Sequence, residues 1–573
     1  MTPTLAAPLI LGLSDFSHDS SAALLGPPGV LAAIEEGKMQ RSRNVAGIPR
    51  EAIRFCLEEA GAQWKDISII AVASRPLRAW TRRAMMRARQ TPVAPVSTGY
   101  YQSKAIGELG RELNNLRILE QLAGDPTGRV LVLDHHLCHA ASAFFASPFE
   151  RALVLTLDEQ GDGRSGLVAT GAGTHLRPRK YIPFPNSLAW IFSQVTELLG
   201  FRPQQDEHKT QWLSLTGEPV YAPVFLELLR RGGSPYPHLN SRFFRRGFAG
   251  RLAFSKAFYD RLKIPPPPEP LAESVRANLA ASVQRACAVV VSELAEALRL
   301  ETRETYLCLA GGLFLNPLLV AELERNTGFE RIFVQPAAGN EGTALGAAWL
   351  AWHEHSRRPR STPIKHLFLG PRFTNEEIKQ VLDNCKSAYR WCDSDERTIE
   401  ETLKFLEAGK IVAWYQGPAE FGPRALGNRS LLASPWAPYV RENLNDFVKH
   451  RESFRPFALS VPEEDRERYF ECGDPALFMA TMGRVRPEFR ELFDNHTLPG
   501  GLLRIHVVAR DSNPLFWRLL KSFGDRSPAP VLVNTSFNLF GEPLVVTPRD
   551  AVRSYFCSGV DVLVAGNFLL SKS

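Results

Sequence analysis

The sequence predicts an α/β protein of two domains. Three observations lead there. At 573 residues the chain exceeds what one hydrophobic core serves. Short apolar strands alternate with amphipathic helices along most of its length. Glycine-bearing turns follow several of those strands, where a backbone must bend sharply or approach a ligand closely.

The elements follow in order. "LILGLSDFSHDSSAALL" (9–25) reads as a strand, a turn and a second strand, and "GVLAAIEEGK" (29–38) continues the pattern. "PREAIRFCLEEAGA" (49–62) is an amphipathic helix with Pro49 near its start and Gly61 near its end. "ISIIAVAS" (67–74) and "VLVLD" (130–134) read as buried strands. "ALVLTLDEQGDGRSGLVATG" (152–171) is a hairpin around a Gly/Asp turn, and 274–298 is a long helix. "TYLCLAGGLFLN" (305–316) and "RIFVQPAAGNEGTALGAAWLAW" (331–352) each run strand, glycine loop, helix. The strand–turn–strand opening recurs near Asp158, which suggests two duplicated lobes. The polar, basic stretch 353–366 reads as a hinge, giving domains at 1–360 and 367–573; "PPPPEP" (265–270) is a stiff connector inside the first. Beyond the hinge, "TIEETLKFLEAGKIVAWY" (398–415) is a helix then a strand, and "PVLVNTSFN" (530–538) a strand entering a polar turn.

Composition narrows the function classes. Apolar (44%) and charged (23%) fractions are those of a globular protein. No apolar run reaches membrane-spanning length, and no basic region precedes "LILGL", so neither a membrane span nor a signal peptide is expected; a cytoplasmic location follows by default. Eight scattered cysteines without a CxxC pair read as reduced thiols. Part of the net charge of +7 sits in 75–90, read as a solvated face or an anion-attracting rim. Nucleic acid is disfavoured, because no binding motif accompanies that run. The oligomeric state stays open, a dimer among the options.

Four constellations carry chemistry. In "HHLCHAASAFF" (135–145), His135 and His139 lie one helical turn apart on one face. Two imidazoles so placed suit a divalent ion, with Asp158 at a strand end as third ligand; a helix start with plainly hydrogen-bonded histidines is the competing reading. His136 and Cys138 point elsewhere and read as structural. "SHDSSAAL" (17–24) offers His18 as a general base, or is an ordinary polar turn. The loops "DEQGDGRSG", "LAGGLFLN" and "PAAGNEGTALGAA" suit a nucleotide in a cleft, with Asp158, Gly161, Gly311, Gly312, Asn316 and Gly339 as lining candidates. Finally, Arg424, Arg429, Lys449, Arg451 and Arg455 crowd into 415–458 among Gly, Pro and Phe. Such a set fits a pocket for a small doubly charged anion and a nucleotide, to which Arg504 and the Ser536 hydroxyl could add.

Seven motifs occur in one order: "HDSSAALL", "HHLCHAASAFF", "LTLDEQGDG", "LAGGLFLN", "GPAEFGPRALGNRSLL", "LNDFVKHRESFRPFA" and "NTSFNLFGEPLVVTPRDA". Together they resemble the O-carbamoyltransferase family of nodulation and antibiotic-tailoring carbamoyltransferases, over nearly the whole chain. The resemblance implies an N-terminal actin-like ATPase (Kae1/TsaD-like) domain of two lobes and a C-terminal YrdC-like α/β domain. It implies that carbamoyl phosphate and ATP, the latter with Mg2+, give carbamoyl adenylate in the second domain. The carbamoyl group then passes to a hydroxyl of a small natural product or sugar in the first, where Fe2+ or another divalent metal sits near the nucleotide phosphate. By motif, His135, His139, Asp158 and Asn340 fall at the metal ligands and His18 at the base of the transfer site. Arg43 falls at a basic position near nucleotide phosphate. Arg424, Lys449, Arg455, Arg504 and Ser536 fall at the residues that grip carbamoyl phosphate and the adenylate.

Four departures stand out. The family aspartate of "PAAGDxGTA" is Asn340 here; "EGKxMGLA" reads "EHKTQWLSL" (207–215); "DGTAR" reads "GGLLR" (500–504); and "EEER" reads "EEGK" (35–38). Two other readings compete with hydroxyl carbamoylation. One is an adenylate-forming relative with an altered transfer step or a non-hydroxyl acceptor; the other is a nucleotide-binding regulatory or RNA-associated protein. The acceptor is expected to meet segments 75–112 and 219–270.

Overall fold

The computed structural model describes residues 8–76, 81, 95–124, 130–230, 232–245, 254–356, 359–360 and 362–572. Most of the basic run 75–90, residues 246–253 of the second acceptor segment and parts of the 353–366 hinge lie outside them. The chain divides into two compact units: Met1–Gly29, Ala46–Ile48 and Gly61–Pro363 form the first, and Val30–Val45, Pro49–Ala60 and Ile364–Ser573 the second. Both are α/β with mixed sheets. Among the described residues, no helix is long and apolar enough to cross a membrane.

The first ten strands in chain order are β1 (Leu9–Leu13), β2 (Ser21–Gly26), β3 (Gly29–Glu35), β4 (Ile67–Val72), β5 (Val130–Val132), β6 (Arg151–Gly161), β7 (Arg164–Ala172), β8 (His175–Pro183), β9 (Tyr306–Ala310) and β10 (Arg331–Val334). In the first unit one pairing pattern occurs twice. β1 runs antiparallel to β2 and parallel to β4, which runs parallel to β5. β6 runs antiparallel to β7 and parallel to β9, which runs parallel to β10. The strand ends carrying Leu13, Asp158 and Ala310 are all carboxyl ends, where open α/β sheets place their ligands. From Ala152 to Leu157, β6 is buried throughout, as expected of a strand covered on both faces. The helices His135–Ala146 and Thr343–Ser356 meet backbone to backbone: a Cβ on Gly346 would lie 1.8 Å from the Cys138 carbonyl oxygen.

Two local expectations need correction. "VLVLD" is not a buried strand: only Val130–Val132 pair, on one side, with β4, and Val132 is 41% exposed at the sheet edge. "GVLAAIEEGK" stops being a strand at Glu35 and turns into the short helix Glu36–Met39.

The second unit holds β11 (Arg390–Trp391), β12 (Val412–Tyr415), β13 (Arg429–Ala433), β14 (Ala458–Pro462), β15 (Phe470–Glu471), β16 (Met482–Val485), β17 (Leu502–Val508), β18 (Leu532–Ser536), β19 (Val562–Ala565) and β20 (Phe568–Ser571). They form one sheet ordered β11-β20-β19-β12-β13-β18-β14-β17-β16-β15. Alternation along β12 sorts its core. Val412 and Trp414 pack with the helices Asp395–Glu407 and Pro514–Gly524 on one face. Ala413 and Tyr415 pack with Asn375–Asn384 and Pro548–Phe556 on the other.

Candidate metal centre and anion pocket

The metal candidate is assembled by three local devices. Asp134 caps the helix His135–Ala146, accepting from the Leu137 amide at 3.2 Å, and is neutralised by buried Arg164 at 2.5 Å. Asp162 receives the His135 and Arg75 amides, each at 3.0 Å. Gly161 leaves room for the His135 ring, since a Cβ there would lie 2.0 Å from it. The helix start is therefore fixed, and both imidazoles face the end of β6.

Asp158 uses its two oxygens differently. Oδ1 accepts the Glu159 and Gly312 amides at 2.8 and 3.1 Å. Oδ2 lies 3.4 Å from His135 Nε2 and 3.2 Å from His139 Nε2, and the two Nε2 atoms are 3.1 Å apart. Ligands bound at about 2.1 Å and set at right angles to tetrahedral angles stand about 3.0–3.4 Å apart, so these three atoms match neighbouring corners around one ion. Two histidines and one carboxylate on a common face leave further coordination positions open. The residues present thus fit a divalent metal.

Burial alone would keep His135 neutral, but Asp15 and Asp158 outweigh it and hold its pKa well above the usual value. His139 is pushed down, by burial first, with the neighbouring His135 charge adding to it. Burial opposes the Asp158 charge as well, yet hydrogen bonds from both histidines keep it well below the carboxylate range. The opposed shifts favour positive charge on His135 and disfavour it on His139, so a single positive charge is favoured where a cation would sit. His136 is fully buried, neutral and 3.3 Å from the Thr156 hydroxyl, so it is a structural residue.

Asp15, which motif reasoning passes over, belongs to the same centre. Its Oδ2 lies 3.4 Å from His135 Nδ1, the usual place for a carboxylate that orients a metal-binding histidine. Its Oδ1 accepts from Ser17 and, at 2.8 Å, from Asn340 Nδ2. Asn340 also donates to the His18 carbonyl oxygen. Its own Oδ1 is buried and makes no hydrogen bond among the described residues, so one oxygen is left for an ion. The only hint of Asp15 in the sequence is an acid in the same loop as His18.

Other candidates are reassigned by their surroundings. His18 is half-exposed, with Nδ1 3.0 Å from Asp19. Burial works against its charge, but Asp19, Asp15 and Asp158 raise its pKa to about 9, so in the metal-free protein it is an imidazolium near neutrality. Gly311, at φ 99°, passes so near the Leu157 carbonyl that a Cβ would sit 2.2 Å from its oxygen; this lets Gly312 reach Asp158. Gly339 has its neighbour Glu341 packed where a side chain would go. Asn316 is occupied at both ends: its oxygen caps Pro317–Asn326 through the Leu319 amide at 3.1 Å, and its nitrogen donates to Gln284 at 2.7 Å. It is a helix cap.

The second unit gathers the cations. Burial pushes Arg504 well below the arginine range, and Arg424, Arg451 and Arg455 add to the shift. Lys449 is likewise depressed by burial, then by Arg451, Arg455 and Arg43. Arg451 falls to about 9, by burial first and then by Arg455. Lys449 Nζ donates to Asn538 Oδ1 at 2.7 Å and to the Ser536 hydroxyl at 3.3 Å. Positive groups that depress one another in a buried place are what an anion would stabilise. Two placements correct the sequence reading. Arg43, counted in the sequence with the first domain, lies in this unit, bonded to the Glu542 carbonyl oxygen at 3.0 Å and acting on Lys449. Arg429 is fully buried against the Tyr415 ring and donates to the Gln416, Asn428 and Pro371 carbonyl oxygens, so it holds the fold.

Comparison with known proteins decides the family. Residues 9–349 match the model described as Carbamoyltransferase N-terminus, and residues 403–572 that described as Carbamoyltransferase C-terminus. The chain belongs to the carbamoyltransferase family. This carbamoyltransferase is 35% identical to the uncharacterized protein sll1178 of Synechocystis sp., over 98% of this chain and 97% of that protein. It is 32% identical to the nodulation protein NolNO of Sinorhizobium fredii, over 97% of this chain and 79% of that protein. Over 42% of this chain and 44% of the relative it is 33% identical to the 3'-hydroxymethylcephem-O-carbamoyltransferase of Amycolatopsis lactamdurans. The metal candidate falls inside the first matched region, and the cationic pocket inside the second, except for Arg43.

Proposed function

We propose that this carbamoyltransferase is an ATP-dependent O-carbamoyltransferase acting on a hydroxyl of a small natural product or sugar. Its second unit, YrdC-like, converts carbamoyl phosphate and ATP to carbamoyl adenylate, with release of phosphate and pyrophosphate. Its first unit, Kae1-like, consumes that adenylate: the acceptor oxygen bonds to the carbamoyl carbon, loses its proton, and AMP leaves.

One observation carries the reading. Arg424, Lys449, Arg451, Arg455 and Arg504 crowd together in the second unit and depress one another's charge, as a pocket for phosphate-bearing reactants requires. There the arginines hold phosphoryl oxygens in forks, Lys449 adds a point charge, and the Ser536 hydroxyl orients one oxygen. In the first unit, Fe2+ or another divalent ion would be held by His135, His139 and Asp158, with Asn340 Oδ1 as a further donor, and would supply positive charge toward a nucleotide phosphate. Asp15 and Asp158 fix the His135 ring, and the Gly312 amide fixes Asp158. His18, as an imidazolium, holds an anionic group and takes the acceptor proton only once its own has left.

The test is direct. Carbamoyl phosphate and ATP should yield pyrophosphate, and a hydroxyl-bearing acceptor should then gain a carbamoyl group with release of AMP. A protein that releases no pyrophosphate under these conditions does not have this function.

A further inference from the structure

Residues Val30–Val45 belong to the second unit although its main body begins at Ile364. Most of their side-chain hydrogen bonds there fall on two loops. In the loop bearing Arg424, buried Lys38 meets three oxygens with its three N–H donors: Glu35 Oε1 at 3.0 Å and the carbonyls of Glu420 and Gly422 at 2.7 and 2.6 Å. Glu35 Oε1 also accepts the Gly422 amide at 2.7 Å, so Gly422 is held at both backbone groups, two residues before Arg424. From inside, Glu420 Oε1 accepts the amides of Leu426, Asn428 and Arg429.

The second loop bears Asn538, the Lys449 partner. Arg41 donates to the Pro543 and Leu544 carbonyls at 2.9 and 2.6 Å and to Glu542 Oε2 at 2.7 Å. Arg43 donates to the Glu542 carbonyl at 3.0 Å, the same oxygen that receives Asn538 Nδ2 at 2.6 Å. The brace is itself anchored. Glu36 accepts the Glu51 and Ala52 amides at the start of the helix Arg50–Glu59, and Gln40 donates back to Glu36 at 2.6 Å.

We propose that the segment Glu35–Arg43 is a brace that sets the spacing of the Arg424 and Asn538–Leu544 loops, with Lys38 and Arg41 as positioning residues for the anion pocket. The proposal rests on the adenylate-forming reading of that pocket. A cluster of like charges would spread its loops apart unless their backbones were tied, and Lys38 and Arg41 tie them through carbonyl oxygens while Glu35 takes the Gly422 amide. Lys38 ties carbonyls and not carboxylates of the loop, so its removal loosens geometry while leaving the pocket's own side chains intact. Misplacement of about 1 Å in a binding constellation costs up to about 100-fold.

The experiment uses the full chain. Arg41→Gln, Lys38→Met and the charge-neutral double variant Glu35→Gln/Lys38→Met are compared with wild type. Three readings are taken: melting temperature, KM for carbamoyl phosphate in pyrophosphate release, and Kd for inorganic pyrophosphate by calorimetry. The expected result is a KM and a Kd raised about tenfold in Arg41→Gln and in the double variant, with kcat within about threefold and cooperative melting retained. A KM and Kd within twofold of wild type in both overturns the proposal, whatever Lys38→Met does to folding. A wild type that binds pyrophosphate but releases none from ATP sinks the functional reading instead, and the Kd values then decide the brace.

Discussion

Asn340 donates its amide hydrogen to the Asp15 carboxylate, 2.8 Å away, while the other Asp15 oxygen faces His135. An aspartate at position 340 would set two carboxylates in contact. Asn340→Asp should therefore melt below wild type in metal-free buffer, by the equivalent of about 1–3 kcal/mol. Divalent cation should close that gap by stabilising the variant more than wild type. Thermal melts with and without anaerobic Fe2+ or Mn2+ check this, and a gap that ignores the ion would place Asn340 away from it.

Removing Asp158 or His139 as donors should empty the metal centre without harming the other unit. Asp158→Asn and His139→Ala should bind less than about a tenth of the wild-type metal by elemental analysis. Pyrophosphate release should stay within about threefold while acceptor carbamoylation falls about 100-fold. Gly161→Ala should show the same split, because its new methyl group would displace the His135 ring.

His18 should titrate late in metal-free protein. Its pKa is raised to about 9 by Asp19, Asp15 and Asp158 against the opposing effect of burial. A raised folded-state pKa stabilises fully below the unfolded value, about 6.5, and that stabilisation fades as pH rises through about 9. His18→Asn should thus lose more stability at pH 6 than at pH 10. NMR titration of the ring and melts at the two pH values check both points.

Arg504 should trade stability for binding. Arg504→Met removes one of several partly buried like charges, so the variant should melt at or above the wild-type temperature in anion-free buffer. Its Kd for pyrophosphate should rise about tenfold or more. Calorimetry and melting curves test the two halves separately, and a large fall in melting temperature would mean that Arg504 holds the fold.

What was legible in the sequence was local. The His135/His139 pair follows from helical spacing, and Asp158 from its place at the end of an apolar strand. Most strands and helices followed from periodicity. Asp15 was not legible, because only folding brings its loop to a histidine 120 positions later. The true place of Arg43 was hidden for the same reason: a short segment leaves its neighbours in sequence to join the second unit. Arg424 and Arg429 look equivalent in the sequence, yet Arg429 opens a buried strand and turns inward onto Tyr415. The capping role of Asn316 was legible but passed over, since Asn directly before Pro at a helix start is a capping signal.

That same early segment has a consequence for how the chain is made. Residues 30–45 and 49–60 leave the ribosome roughly 300 residues before the main body of the unit they belong to, which at about 5–20 residues per second is a wait of about 15–60 seconds. During it the apolar side chains of β3 and of the helix Arg50–Glu59, among them Ile34, Ile53 and Phe55, lack their final surroundings. The early apolar stretch thus waits for its cover until the second unit's main body has been made.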